Sequence, residues 1–298
     1  MDDMPAYSLR TRIAEGRDHR VVKDKLLSIL VIVFSAITIF PIVLIIGKLI
    51  SKGYKQINLD FFIKKAPDTY EAMTAINAGE IIPGGILNGI AGTLLMVLMA
   101  ALIAIPLGLL IGIFLYEHGS KKYAGLIRDI SDILQGVPSI VLGLIAYFWV
   151  VKNITHGFSA LAGSTALAIM MLPLIIRSTE ETLKMIPDSI KEAGFALGVP
   201  YHKIILRVLI PTGFSGLLAG ILLAISRIIG ETAPLMLTAL GSMEVNFNIQ
   251  KPTSAVPLLI WEFYNDPNMV DLIWSSSLFL MALVLILNIV TKSIRSKK

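Results

Sequence analysis

The sequence predicts an all-α membrane protein whose chain crosses the bilayer six times. Three observations predict it. Of 298 residues, 55% are hydrophobic and only 16% are charged, with a mean hydropathy of +0.77, too little charge to cover a soluble domain of this length. The apolar residues gather in runs of about 20, the length that carries a helix across the hydrocarbon core. The basic residues between those runs fall mostly on one side of the predicted membrane.

The spans follow in order. Leu26 to Gly47 is uncharged and interrupted only by Pro41, too long for a signal-peptide core and with no cleavage site after it, so it is a retained first helix. Ile81 to Tyr116 carries no charge, and the second span occupies about Asn88 to Leu115. Ile133 to Val151 and Phe158 to Ile176 are the third and fourth, joined by a short turn around Lys152 and Asn153. Thr212 to Leu240 is the fifth, and Leu272 to Val290 the sixth. Between Gly53 and Pro83 the chain mixes charges with Phe61, Phe62 and Ile63, which predicts an outer-surface segment, partly helical in the interface.

Charge placement supports this count. With both termini cytoplasmic, the outer segments hold Lys48, Lys52, Lys55, Lys64, Lys65, Lys152 and Lys251. Every other lysine and arginine except Arg227 then lies inside, among them Arg10, Arg12, Arg17 and Arg20 before the first span and Arg295, Lys297 and Lys298 at the end. Five or seven spans would spoil that asymmetry. The expected organisation is a cytoplasmic segment 1–25 and a single transmembrane domain 26–298, with its core at about 80–292.

Absences narrow the function. No cysteine is present, which excludes a disulfide scaffold and thiolate metal sites. His19, His118, His156 and His202 share no ligand spacing, so no metal is assigned. No basic face of domain size lies outside the apolar runs, which argues against a nucleic-acid partner. No phosphate-cradling glycine loop with a lysine and no nucleophile constellation occurs, so the chain is not expected to hydrolyse ATP.

The loop between the fourth and fifth spans, 178–211, is written as two short helices. Pro187 and Asp188 start the first, with Asp188 able to cap free N–H groups. Ile190, Ala193, Ala196 and Leu197 form one stripe, and Gly198 stands where a left-handed residue would end the helix. Ile204, Ile205, Val208 and Leu209 form the second stripe, entering the membrane at Pro211. Small residues at Ala193, Gly194 and Ala196 leave a low face, and so short a hairpin suits a groove on a partner.

The fifth span alone carries charge in its interior. Arg227 lies about 22 Å into the helix, counting about 1.5 Å per residue from Thr212. A central arginine costs about 2.5–3.5 kcal/mol, so it must face protein or a water-filled path. Glu231 is four residues on, placed to pair with it on one face, and Ser226 and Thr232 add hydroxyls. Gly230 and Pro234 should kink or open the helix. One reading is an ion pair that locks helices; the other is an anion path, since the arginine fork suits a tetrahedral oxyanion.

These residues carry a resemblance. Glu192-Ala193-Gly194-x-x-x-Gly198, then Val208-x-Ile210-Pro211, resembles the E-A-A-x-x-x-G-x(9)-I-x-L-P loop of importer-type ABC permeases, with Gly194, Val208 and Ile210 as mild departures. Arg227-Ile228-Ile229-Gly230-Glu231-Thr232-Ala233-Pro234 resembles the R-x-x-G-E-T-A-P run of phosphate-specific permeases. Gly84-Gly85-Ile86, Gly92-Thr93-Leu94 and Gly136-Val137-Pro138-Ser139-Ile140 are similar to that family too. The likeness covers about 80–240 and is nearer the PstA type than its companion, PstC.

The resemblance implies an importer-type (type I) ABC permease bundle in a prokaryotic inner membrane, transporting phosphate by alternating access. It implies a second, PstC-type permease, two ABC ATPase subunits that hold the ATP and magnesium, an external phosphate-binding protein, and surrounding lipid. No cofactor falls to this chain. Glu192, Ala193, Gly194, Gly198 and Pro211 would couple to the ATPase; Arg227, Glu231, Ser226 and Thr232 would line the phosphate path. Sulfate or molybdate permeases share the hairpin but lack the G-E-T-A-P run, and a phosphate-status signalling scaffold is the other alternative.

Two small-residue motifs, Gly108-x-x-x-Gly112 and Gly216-x-x-x-Gly220, are expected to pack helices within this subunit. Asp129 and Asp132 are read as solvated surface charges.

Overall fold

A computed structural model describes residues 6–119 and 121–296, with side chains described over 23–119 and 121–294. The charge placement expected at Arg10, Arg12, Arg17, Arg20, Arg295, Lys297 and Lys298 lies outside those side chains. The chain divides after Ser51 into two compact units. The first is the greater part of α1 (Ala6–Gly53), a single helix with Pro41 inside it.

In the second unit two short helices follow, α2 (Leu59–Ile63) and α3 (Thr69–Ala78). Asn58 caps α2, its Oδ1 accepting from the Phe61 N–H at 2.8 Å. Asp68 and Glu71 form a capping box on α3, and Gly79 ends it at φ 70°. The segment expected at the outer surface is partly helical, and one face of it folds into the protein. Phe61 is wholly buried and packs with Ala66, Ile86, Val256, Leu259, Phe263 and Leu272. Hydropathy missed it because Phe61, Ala66, Ala72 and Ile82 turn inward while Leu59, Ile63 and Tyr70 of the same segment stay exposed.

The long helices are α4 (Leu87–Glu117), α7 (Ala160–Lys184), α10 (Ile210–Ile228) and α13 (Val270–Ser296). With α1 they give five helices long and apolar enough to cross a membrane among the described residues, or six where a bent pair counts as one span. Both small-residue motifs pack inside this subunit. A Cβ on Gly108 would meet Ile175 at 2.7 Å and one on Gly112 would meet Thr179 at 2.5 Å, so α4 lies against α7. Gly216 faces Thr182 and Gly220 faces Ser178, so α10 lies on the same helix. Their shared interior holds Met96, Ala100, Leu167, Met171, Ala224 and Ile228.

The third crossing departs from expectation. A helix α5 (Lys122–Gly136) turns through 106° into α6 (Ser139–Ala146), which continues as a π-helical stretch over Tyr147–Thr155. The turn falls at Val137, held extended (φ −71°, ψ 132°) before Pro138, where the proline ring disfavours helix for the preceding residue. The apolar crossing therefore begins at Ser139, not Ile133. It leaves through His156 (φ 51°), beyond the turn expected at Lys152 and Asn153. Arg128 fastens α5, donating to Glu180 at 2.9 Å and to the Gly119 and Leu115 carbonyls. Asp132 pairs with Arg177 at 3.0 Å instead of being merely solvated.

Candidate functional site

The hairpin is built from α8 (Asp188–Ala196) and α9 (Tyr201–Ile204), which runs on through a π-helical turn, Ile205–Leu209, into α10. Pro187 is the N-cap residue and Asp188 stands in the first turn with no side-chain cap, so the expected capping is not made. Gly198 has φ 72°. Around it the Val199 N–H donates to the Gly194 carbonyl and the Gly198 N–H to that of Phe195, a Schellman ending.

The predicted stripe splits. Ile190 turns inward beside Leu183, Ile186, Ile204 and Leu209, whereas Ala193 and Ala196 are exposed and Leu197 is 82% exposed. Gly194 faces inward, where a Cβ would lie 2.9 Å from Ile204. Its smallness lets the two hairpin helices close on each other. Glu192, Ala193, Phe195 and Leu197 form the outer surface. Pro211 lies exposed in the first turn of α10. The π turn just before it inserts a residue where the missing N–H would break the ladder.

The second cluster lies where α10 ends. Arg227 is its penultimate residue, the chain turns over Ile229–Gly230, and a one-turn helix α11 (Ala233–Met236) begins after Thr232. Pro234 does not kink a continuous helix: it sits in the first turn of α11, where a missing N–H costs nothing. It packs on Gly143 of α6, whose Cβ would lie 2.6 Å away. Gly230 is exposed, with open space where a Cβ would go.

The expected Arg227–Glu231 pair is not formed among the described residues. The reason is geometric: helix ends at Ile228, so the four-residue spacing no longer places both on one face. Arg227 is exposed on this chain and Glu231 half-buried. Ser226 is buried, its Oγ donating to the Leu223 carbonyl at 2.9 Å and lying 3.4 Å from Asn288 Oδ1. Thr232 is half-buried and its carbonyl accepts from the Met236 N–H. Asn288, an exposed amide within α13 beside Ser226, was missed from sequence. Its signal was an amide in the later, otherwise apolar half of the last run.

Beyond α11 the chain returns without regular helix to α12 (Val256–Tyr264). This return segment covers the start of α7. The Ser159, Ala160 and Leu161 N–H groups donate to the carbonyls of Thr238, Lys251 and Ile249, and Ser159 Oγ accepts from Ala162. All four otherwise orphaned donors are satisfied. The glycine motif at 84–94 belongs here. A Cβ on Gly92 would strike the Ser254 carbonyl, and Thr93 Oγ1 accepts from the Val256 N–H at 3.0 Å.

Residues 104–296 match the family described as binding-protein-dependent transport system inner membrane component. The chain belongs to that family. Among curated relatives, the phosphate transport system permease protein PstA of Yersinia pestis is 39% identical over 87% of this chain and 85% of its own. That of Haemophilus influenzae is 34% identical over 92% and 94%. The transport component also shares its fold with a chain of the MetNI methionine ABC transporter in an inward-facing crystal form, at a TM-score of 0.60 and 20% identity, over 70% of this chain and 94% of that one. It is thus a multi-pass membrane protein with an importer-permease bundle, and the hairpin and the break after α10 both lie within the matched residues.

Proposed function

We propose that this chain is the permease subunit of an ATP-driven phosphate importer. The observation that carries the proposal is Arg227: a guanidinium at the open end of α10, exposed on the single chain and without an ion partner among the described residues. Such a group within a span needs either protein or a water-filled path to face. Its planar fork donates two hydrogen bonds at once to an oxyanion. Relatives named as phosphate permeases over most of their length support phosphate as the anion.

In this reading a second, PstC-type permease closes the path opposite Arg227 and supplies the further donors a dianion needs. Ser226 and Thr232 shape the local chain, and Glu231 competes for the arginine when the path empties. Two ATPase subunits dock on the outer surface formed by Glu192, Ala193, Phe195 and Leu197 and hold the nucleotide and magnesium. An external binding protein delivers phosphate to the opposite face. Both termini are cytoplasmic. ATPase closure pushes the hairpin and switches access to Arg227.

Arg227→Gln leaves an amide that can hydrogen-bond and removes the charge. In proteoliposomes holding the complete transporter it is expected to abolish phosphate uptake while the subunits still copurify. Undiminished uptake would overturn the anion-path role. Competition by excess sulfate against labelled phosphate distinguishes the oxyanion alternatives, and phosphate uptake insensitive to sulfate is the expected result.

A further inference from the structure

The hairpin is fastened to a helix that does not adjoin it in sequence. Lys191 of α8 places its Nζ 5.4 Å from the ring of Tyr116 and 5.2 Å from that of Tyr201. Tyr116 belongs to the last turn of α4, and Tyr201 opens α9 and stacks on Phe195 at 5.7 Å. A cation held between two aromatic faces is attracted by both, so one ammonium ties three helices together. Ile113 and Tyr116 pack into the same apolar cluster as Ile190, Ile204 and Leu209. Glu117 lies beside Tyr201, and its Oε1 is buried with no hydrogen-bond partner among the described residues.

The other end of α4 grips the return segment between α11 and α12. Besides Thr93 and Gly92, Asn88 Nδ2 donates to the Ser242 carbonyl at 2.8 Å while its Oδ1 accepts from the Ala66 N–H. Gly89 meets Leu259. The helix is unbroken between these ends despite Pro106, a span of about 40 Å at about 1.5 Å per residue. Both ends grip through named side chains, and Gly108 and Gly112 hold the middle to α7. A displacement of Lys191 therefore moves a rod whose far end carries Ser242, Ser254 and Val256.

We infer that Lys191, Tyr116 and Tyr201 form a joint, and that α4 is the rod through which the hairpin moves the 238–256 segment. The three are positioning residues, and the inference rests on the importer reading. It predicts that loosening the joint uncouples hydrolysis from movement at the far end.

The test uses the complete transporter in proteoliposomes and two readouts. Lys191→Met keeps an unbranched stem and removes the cation; Tyr116→Leu removes the ring on α4, away from the ATPase-facing surface. Each is expected to lower phosphate transported per ATP hydrolysed several-fold with hydrolysis retained. The double variant is expected to be no worse than the poorer single, because both break one contact. An unchanged ratio in both singles, or losses that multiply, would overturn the joint.

The second readout needs no phosphate and so separates a failure of the joint from a failure of the substrate reading. Ser254 is fully buried and its Oγ has no hydrogen-bond partner among the described residues, so Ser254→Cys introduces a near-isosteric thiol into a chain with no cysteine. Its maleimide labelling is expected to change when ATP and vanadate are added, and Lys191→Met should suppress that change at least several-fold. Labelling that ignores nucleotide, or responds equally in Lys191→Met, would overturn the rod. Liposomes carrying Ser254→Cys alone that show the labelling change without phosphate uptake would uphold the rod and strike only the phosphate reading.

Discussion

Gly220 and Gly230 lie ten residues apart and answer substitution oppositely. A methyl on Gly220 would collide with the Ser178 side chain on α7, including its Cβ at 2.5 Å. Gly220→Ala is expected to cost about 1–3 kcal/mol, read as a lower unfolding temperature in detergent, and Ser178→Gly should recover most of it. Gly230 has open space and no left-handed backbone, so Gly230→Ala should leave the unfolding free energy within about 0.5 kcal/mol of wild type. Sequence marked Gly220 as part of a helix-packing motif and Gly230 as a break beside the candidate site. It could not tell which one another helix touches, because that depends on the rotation of α10 against α7.

Glu262 shows the same limit for charge. It sits half-buried in α12, a helix too short to cross, and burial raises its carboxyl above the ordinary value. A raised folded-state value means that stability is complete below the unfolded carboxyl's range and declines as pH rises through the folded one. Glu262→Gln should therefore raise the unfolding temperature at neutral pH, with the gain vanishing at about pH 4, where both states are protonated. A gain that persists there would point to packing instead.

At the scale of elements, α5 carries the clearest energetic prediction. Glu180 is 5% exposed and accepts from Arg128 and from Lys184, at 2.6 Å in each case. Removing it strands a three-quarters-buried guanidinium. Glu180→Ala should cost up to about 3 kcal/mol, whereas Arg128→Met with Glu180→Leu should recover much of it, since apolar pairs often replace buried ion pairs without loss. Detergent melting of the two variants beside wild type checks this. The proline that turns α5 into α6 was plain in sequence, yet a proline in an apolar run reads equally as a kink inside one span. What decided for a sharp turn was the amphipathic face of α5, with Ala124 and Ser131 buried and the pairs to α7, contacts between residues some fifty positions apart. The fifth run hid its break similarly: Gly230 and Pro234 announced one, but hydropathy continued through it to Leu240.

For the whole molecule, the membrane class and the six apolar runs were legible because bilayer thickness imposes a length that composition cannot hide. The hairpin was legible too, since its turn glycine and prolines act locally. The packing of 53–83 and the return between α11 and α12 were not. Both are held by carbonyls and side chains from distant segments, and neither has a periodicity of its own.

The return segment has a consequence for how an anion enters. The first turn of a membrane helix ordinarily presents free N–H groups and partial positive charge, a natural landing place for phosphate. In α7 those donors are already engaged by the Thr238, Lys251 and Ile249 carbonyls and the Ser159 hydroxyl. The mouth of this subunit is thereby electrostatically quiet at α7. An anion arriving there meets no free N–H groups, and on the anion-path reading proposed for Arg227 this chain's attraction for it lies with that guanidinium instead.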